Sequence, residues 1–203
     1  MHRVRDVVET RRWVNDVRLD HLYSALLGLL MANFDKAFAH TFENEGGMKT
    51  TKVTGDRGGQ TCCGISRKFH PSWAGWTYVD RGEDPPMFLV KTFYGEKFWS
   101  PIRGNEIKSQ GLAFALFDFG VNAGSTVAVK LMQSVLGLVV DGKVGPKTLE
   151  ALNKADREQA LMAFTLAAIA RYHAICMKDR TQTKFLLGWV GRALRLLEGA
   201  KDE

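Results

Sequence analysis

The stretch from Gly111 to Asn122 constrains the fold of this chain more than any other. Its residues, Gly-Leu-Ala-Phe-Ala-Leu-Phe-Asp-Phe-Gly-Val-Asn, are apolar on nearly every side of a helix. A helix that is apolar all round has no face suited to water, so other elements must enclose it. The chain can supply them, because 45% of its 203 residues are hydrophobic. We therefore expect an ordered domain with this helix buried inside it.

Apolar periodicity and capping residues predict further helices around it. Asn33 is a suitable N-cap, and the helix that follows ends at Gly46-Gly47, since glycine is favoured just past a helix C-terminus. Five other helices are predicted. The first runs from Asp84-Pro85 to about Trp99, the second covers about 125–137, and a short third begins at Gly145-Pro146. The fourth runs from Asp156 to about Met177, and the last covers about 183–198.

Two segments interrupt this helical pattern. Residues 48–65 are rich in Thr, Gly and Val, which favours a small β-hairpin or an irregular β excursion. Residues 69–82 are expected to form a loop. The predicted fold class is therefore mainly α with one small β element. We expect an N-terminal extension over 1–31 and two regions over 32–123 and 124–198.

Charge and cysteine content narrow the class of protein. The formal net charge is +6, which suits an anionic partner such as nucleic acid, a membrane surface or a bacterial wall polymer. Three cysteines, two of them adjacent, do not make a disulfide framework, so we expect folding in a reducing cytoplasm. No Cys/His set has zinc spacing, and we expect neither a metal nor a cofactor. The apolar runs are short for a membrane span of roughly 20 residues, so no stable membrane insertion is expected.

Two glutamates at the end of the first predicted helix should meet different environments. At about 100° per residue, Glu45 falls about 20° from Phe34 on the apolar face, whereas Glu43 falls about 180° away. Burial and the negative end of the helix dipole both raise a carboxyl pKa. A carboxyl that stays protonated near neutral pH can act as a general acid. From geometry alone, a Glu45 that turns back to solvent is an equally good interpretation.

Asp56 is the second candidate carboxylate. It lies in the turn Gly55-Asp56-Arg57-Gly58-Gly59, where glycines allow the backbone to approach a substrate closely. A hydrated Asp there would stay ionised and could orient water or stabilise an oxocarbenium ion. An ordinary Asx-turn is the alternative. Thr61 follows, and its hydroxyl could hold a water or cap a strand.

Five segments, in order along the chain, resemble the motifs of glycoside hydrolase family 108. They are residues 42–47 (Phe-Glu-Asn-Glu-Gly-Gly), 55–66 (Gly-Asp-Arg-Gly-Gly-Gln-Thr-Cys-Cys-Gly-Ile-Ser), 93–102 (Phe-Tyr-Gly-Glu-Lys-Phe-Trp-Ser-Pro-Ile), 117–124 (Phe-Asp-Phe-Gly-Val-Asn-Ala-Gly) and 141–148 (Asp-Gly-Lys-Val-Gly-Pro-Lys-Thr). The last resembles the family's C-terminal predicted peptidoglycan-binding region. The resemblance covers roughly residues 32–198.

The resemblance implies a lysozyme-like muramidase that hydrolyses the bond between N-acetylmuramic acid and N-acetylglucosamine. It implies that Glu45 is catalytic, with Asp56 and Thr61 completing a Glu–Asp–Thr arrangement similar to that of phage-type lysozymes. Within the same motifs we expect substrate contacts from Gly46, Gly47, Gly59, Tyr94, Trp99 and Asn122. The chain has Met48 where many members have an aromatic residue, so a stacking contact is expected to be missing there.

The expected partner is therefore the glycan strand of peptidoglycan, bound by a monomer. Lys49, Lys52, Arg57, Arg67 and Lys68 could form a basic rim for the carboxylates of its peptide stems, although a solvated surface explains them equally well. The alternatives are a non-catalytic peptidoglycan-binding protein and a lytic transglycosylase or chitinase-type glycosidase. A nucleic-acid binder is disfavoured, since no basic helix or RNA-binding signature is present. We expect synthesis in the cytoplasm and action in the periplasm or wall, after release by a holin or another route.

Overall fold

The computed structural model describes residues 31–44, 46–52 and 60–197. The predicted N-terminal extension, apart from Met31, lies outside these residues. In chain order the elements are α1 (Phe34–Asn44), β1 (Thr50–Lys52), β2 (Gln60–Cys62), β3 (Ile65–Ser66), α2 (Trp76–Val79), α3 (Met87–Tyr94), a π-helical turn (Gly95–Trp99), a 3-10 turn (Gly104–Glu106), α4 (Gln110–Ala123), α5 (Ser125–Val135), α6 (Pro146–Lys154), α7 (Arg157–Lys178), a second 3-10 turn (Arg180–Phe185) and α8 (Leu186–Arg195). The mainly α fold with one small β element is confirmed.

Helix α4 is the centre of the molecule, as its composition predicts. Every residue from Gly111 to Gly120 is buried. On one side the Phe117 ring lies 5.8 Å from that of Phe34 and 5.7 Å from that of Trp99. On another side Phe119 meets Phe164 of α7 at 5.4 Å. Helix α4 is thus enclosed by elements from both predicted regions, and one continuous core spans them.

The β element is a three-stranded antiparallel sheet in the order β1-β2-β3. Cys62 pairs with Ile65 across a two-residue turn, in which Cys63 and Gly64 have φ of 53° and 74°. Positive φ at both central residues is the geometry of a type I′ hairpin turn, which matches the twist of the flanking strands. The sheet therefore extends the expected hairpin by one short strand.

One predicted loop and two predicted helix starts were wrong. Residues 69–82 contain the one-turn helix α2, formed where buried Trp76 donates its indole N–H to the carbonyl of His70 at 2.7 Å. Helix α3 begins at Met87 instead of Asp84-Pro85, with extended Pro86 as its N-cap residue. A residue before proline is disfavoured in the α region, and both Asp84 and Pro85 precede prolines. The predicted last helix begins as a 3-10 turn.

Helix α7 begins at its predicted cap, since the Asp156 carboxylate accepts from the Gln159 N–H at 2.9 Å. Contrary to the expectation from apolar run lengths, α7 is long and apolar enough by length and composition to cross a membrane. A buried core helix has the same length and composition. One face of α7, including Leu161, Phe164 and Ala168, is indeed buried in the core.

We predict that Phe117→Ala destabilises the protein by about 3–5 kcal/mol, because it removes a buried ring on which three elements pack. Phe88→Ala is the matched control, since Phe88 is 64% exposed. Its expected effect is within about 0.5 kcal/mol. Urea unfolding followed by circular dichroism measures both. Equal destabilisation by the two substitutions would contradict a central role for α4.

Candidate active site

The C-terminal half of α1 shows the predicted division between buried and exposed faces. Phe38 and Phe42 are buried and their rings stack at 5.0 Å, whereas Glu43 is exposed. The buried and exposed faces of α1 are therefore the ones that the sequence predicted. The same prediction assigned Glu45 to the apolar face. Glu45 itself lies outside the described residues.

Thr41 is a residue of this face whose importance the sequence analysis missed. It is fully buried, and its hydroxyl has no hydrogen-bond partner within the described part of the chain. Thr41 precedes Glu45 by four residues, the spacing at which side chains are neighbours on a helix surface. Two features of the sequence could have identified Thr41. It is a polar residue among the apolar residues of one helix face, and it precedes Glu45 by four residues.

Gly46 and Gly47 close α1 in the manner predicted. Their φ values are 92° and 67°, in the region that favours glycine. The Gly47 N–H donates to the carbonyl of Phe42 at 2.9 Å, and the Gly46 N–H donates to that of Glu43 at 3.1 Å. This pair of bonds is the Schellman arrangement, which satisfies carbonyls at a helix end. The backbone after Glu45 therefore turns sharply at a fixed point.

The two residues after Gly47 connect the end of α1 to the sheet. The carbonyl of Lys49 accepts from the Cys63 N–H at 3.1 Å, and half-buried Met48 packs against the core. The end of α1 and the sheet are therefore neighbours. Asp56 and Gly59, which belong to the connection between β1 and β2, lie outside the described residues.

Thr61 is at the middle of β2, opposite Thr51 in β1 and Ser66 in β3. Successive side chains of a strand point to opposite faces. Because Cys62 is fully buried, the half-buried Thr61 points away from the core. This face is where a polar group for water or substrate is expected.

Tyr94 and Trp99 lie in the core behind the sheet, only 1% and 4% exposed. The Tyr94 hydroxyl donates to the carbonyl of Cys63 at 3.0 Å, and the Trp99 indole donates to the Asn105 side chain at 2.7 Å. Neither ring has a free surface on which a sugar could stack. Their placement favours a supporting role instead of the predicted substrate contact.

The π-helical turn explains why sequence periodicity did not reveal this burial. Tyr94 and Trp99 are five residues apart, which at about 100° per residue places them on different faces of an α-helix. In the structure the Ser100 N–H donates to the carbonyl of Gly95, five residues earlier, at 2.8 Å. The wider turn brings both rings to Phe117, with centroids 6.5 Å and 5.7 Å away.

Asn122 is exposed at the end of α4 and donates its amide to the hydroxyl of Tyr172 in α7 at 2.8 Å. Burial raises the pKa of Tyr172. The contact joins α4 to α7. A role for Asn122 in substrate binding stays a prediction.

Arg67 holds the sheet to α2 and its charge is already paired. It donates to both carboxylate oxygens of Asp80, at 2.6 and 2.7 Å, and to the Gln60 side chain at 2.8 Å. The guanidinium keeps the pKa of Asp80 below its usual range. Of the predicted basic rim, Lys49 and Lys68 are exposed and Arg57 lies outside the described residues.

The cysteines are buried thiols, with the Cys62 and Cys63 sulfurs 3.4 Å apart. A disulfide requires about 2.05 Å. Burial, together with the hydrogen bond to Cys62, raises the pKa of Cys63 from 9.0 to about 12. The folded state therefore keeps a proton that the unfolded chain releases. The contribution of the Cys63 thiol to the free energy of unfolding is full below pH 9 and falls as the pH rises toward 12.

Within residues 31–44, 46–52 and 60–197, no group of three His, Cys, Asp or Glu side chains could hold a metal.

Comparison with known families accounts for most of the chain. Residues 38–124 match the Glycosyl hydrolase 108 family model. This segment is a glycosyl hydrolase 108 domain. It includes the end of α1, the sheet and α4, and so all the predicted catalytic positions. Residues 127–194 match the Predicted Peptidoglycan domain model, which begins in α5 directly after the glycosyl hydrolase 108 domain.

A solved structure of Brucella abortus SagA is similar over most of its length. The TM-score is 0.63 and the sequences are 28% identical, over 83% of this chain and 93% of that one. No curated protein matches the sequence. The two family matches support a peptidoglycan hydrolase of the muramidase type with a lysozyme-like fold, and hence a glycoside hydrolase.

We predict that Gly46→Ala impairs hydrolysis of peptidoglycan more than it impairs folding. An added Cβ meets only the Lys49 side chain at 3.7 Å, so the strain comes from the positive φ. That strain is worth about 1–2 kcal/mol. Because Gly46 directly follows Glu45, a shifted helix end should lower activity by about tenfold or more.

Gly82→Ala is the matched control for this variant. Its φ is 76° and nothing lies within 4 Å of an added Cβ. It should lose a similar amount of stability in a urea titration and keep its rate in a turbidity assay. If the two variants lose activity to the same extent, the end of α1 is not part of the site.

We further predict that the native protein reacts with a thiol reagent at pH 8 on the order of a hundredfold more slowly than the protein in urea, because all three thiols are buried and react only after the structure opens. Unfolded protein should show all three thiols that the sequence contains. Rapid labelling of the native protein, or fewer than three thiols in urea, would contradict this placement of Cys62, Cys63 and Cys176.

Proposed function

We propose that this chain cleaves the glycan bond between N-acetylmuramic acid and N-acetylglucosamine in peptidoglycan, with Glu45 as the general acid. The observation that carries the proposal is the phase of α1. Phe38, Thr41 and Phe42 are buried while Glu43 is exposed, so the other glutamate at this helix end belongs to the apolar side. The glycosyl hydrolase 108 domain provides the reaction class.

A raised carboxyl pKa at Glu45 is part of this proposal, and it follows from the helical phase of α1. The apolar face of α1 disfavours a charged carboxylate, and the C-terminal end of the helix dipole disfavours it further. The buried hydroxyl of Thr41, one turn earlier, is available to a carboxyl on the same face. A protonated Glu45 then donates its proton to the glycosidic oxygen as the bond to the sugar breaks.

The second group is Asp56, supported by Thr61. The register pairs Lys52 with Gln60, so residues 53–59 join the ends of β1 and β2, and Asp56 is at the middle of that connection. An ionised Asp56 stabilises the cationic transition state or orients the attacking water. Thr61, on the face of β2 that points away from the core, holds that water with its hydroxyl.

Substrate contacts complete the site. We propose that the backbone at Gly46, Gly47 and Gly59 allows the glycan to approach closely, because none of these positions carries a side chain. Asn122 contributes a polar contact from the end of α4. The monomer acts on glycan strands in the periplasm or wall, which it reaches through a holin or another route. The activity serves either phage lysis or wall remodelling during protein or toxin secretion.

The decisive experiment compares the wild type with Glu45→Gln, Glu43→Gln and Asp56→Asn in a turbidity assay on purified peptidoglycan. Glu45→Gln should lose about a hundredfold or more, the scale of a general-acid contribution. Glu43→Gln is the matched control and should keep wild-type activity, because its side chain is in solvent. Asp56→Asn should be strongly impaired.

Product masses separate this proposal from related enzymes. A muramidase leaves a reducing N-acetylmuramic acid end, whereas a lytic transglycosylase leaves an anhydro sugar and a chitinase cleaves chitin oligosaccharides. If Glu43→Gln inactivates and Glu45→Gln does not, the assignment of the acid is wrong. If the wild type gives no products, the chain is a peptidoglycan-binding protein without catalysis.

A further inference from the structure

A concave site lies between α5 and α6, and its lining includes none of the residues proposed for catalysis. It is an open cavity of about 600 Å³ beneath the loop that joins the two helices. Leu138, Val139 and Pro146 supply apolar surface to it, and Val139 is 84% exposed. Apolar side chains that line a concave surface together are typical of a ligand-binding site.

The loop that forms this cavity is held in shape by one buried side chain. Gln133 is 1% exposed, and its amide nitrogen donates to the Asp141 carboxylate at 2.7 Å and to the Lys143 carbonyl at 3.0 Å. Its amide oxygen accepts from the Gly142 N–H at 2.8 Å. Thr148, 6% exposed, completes the network at 3.1 Å. The cavity is therefore preorganised, which reduces the entropy lost on binding.

Cations outnumber anions around the cavity. Lys143 and Lys147 line it, and the Lys130 side chain lies over Gly142, where an added Cβ would be 3.0 Å from the Lys130 Cε. None of these lysines forms an ion pair with another residue in the described ranges. The one carboxylate of the lining, Asp141, accepts bonds from Gln133 and from the Lys143 N–H at 2.8 Å, so its charge is held by donors within the protein.

We propose that this cavity binds the peptide stem of peptidoglycan, as a site separate from the one that binds the scissile glycan. The stem is a short acidic peptide in which alanine methyl groups alternate with carboxylates. The apolar surface at Leu138, Val139 and Pro146 fits the methyl groups, and the amino groups of Lys143 and Lys147 fit the carboxylates. The whole cavity falls within residues 127–194, which match the Predicted Peptidoglycan domain. The inference rests on the proposed function.

Such a site has a kinetic consequence. A stem held at α5 and α6 keeps the enzyme on the polymer, so that the next glycan bond is met at a high effective concentration. Hydrolysis should then be faster on peptidoglycan that carries stems than on the same glycan without them. The chemical step at Glu45 should not depend on the stem.

The test uses the full chain and two substrates: intact sacculi, and sacculi whose stems have been removed by an amidase. The variant is the pair Lys143→Gln and Lys147→Gln. The matched control is Lys154→Gln with Lys178→Gln, which removes the same charge at exposed positions outside the cavity lining. Val139→Ser tests the apolar part separately. Isothermal titration calorimetry measures binding to intact sacculi and to the soluble glycan strands that the amidase leaves, and release of reducing ends measures hydrolysis.

We expect the Lys143/Lys147 variant to bind intact sacculi about tenfold more weakly than the wild type, on the scale of two partly exposed ion pairs. Val139→Ser should weaken binding in the same direction, and the Lys154/Lys178 control should bind as the wild type. On stem-free glycan, all four proteins should bind and hydrolyse alike.

Equal binding of intact and stem-free sacculi by the wild type would overturn the inference. So would a loss on both substrates for the Lys143/Lys147 variant, which would assign the cavity to the glycan itself. A loss of binding by the Lys154/Lys178 control would show general charge attraction only. Hydrolysis of stem-free glycan by the wild type tests the proposed muramidase activity alone. Failure of the stem-binding proposal is therefore distinguishable from failure of the proposed activity.

Discussion

The enclosure of α4 is the constraint on which the rest of the structure depends. Its apolar surface requires cover on every side, and the cover comes from α1, the π-helical turn and α7. Because Phe34 packs on Phe117, α1 is held at one position along α4. The C-terminal end of α1, where Glu45 follows Asn44, is thereby fixed relative to the core. A general acid that follows such a fixed helix end, as proposed for Glu45, keeps the geometry that proton transfer requires.

The small sheet is attached to that same core by few contacts, and each has a clear role. The Tyr94 hydroxyl holds the Cys63 carbonyl in the hairpin turn, and Arg67 holds β2 to Asp80. The Lys49 carbonyl joins the sheet to the end of α1. The side of the sheet that points away from the core is thus presented beside the helix end. That juxtaposition is what a pair of groups on either side of a scissile bond needs.

The two segments that match family models share one hydrophobic core. The glycosyl hydrolase 108 domain carries the predicted catalytic positions, and the region from α5 onward carries a preformed cavity with unpaired cations among the described residues. Phe119, Phe164 and Tyr172 pack across the junction. Two sites on one packed core move together, so the proposed stem site and the proposed cleavage site would be coupled in space.

The sequence by itself determined every described helix except the one-turn α2, and also that α4 is buried, that α1 ends at Gly46-Gly47 and that Glu43 faces water. These follow from local periodicity, capping and the conformational freedom of glycine, which act within a few residues. Only the tertiary structure decided that Tyr94 and Trp99 are core residues, that Arg67 is paired with Asp80, and that Gln133 shapes a cavity. Each depends on partners distant along the chain or on a π-helical turn that changes the helical phase, and local pattern carries no information about either.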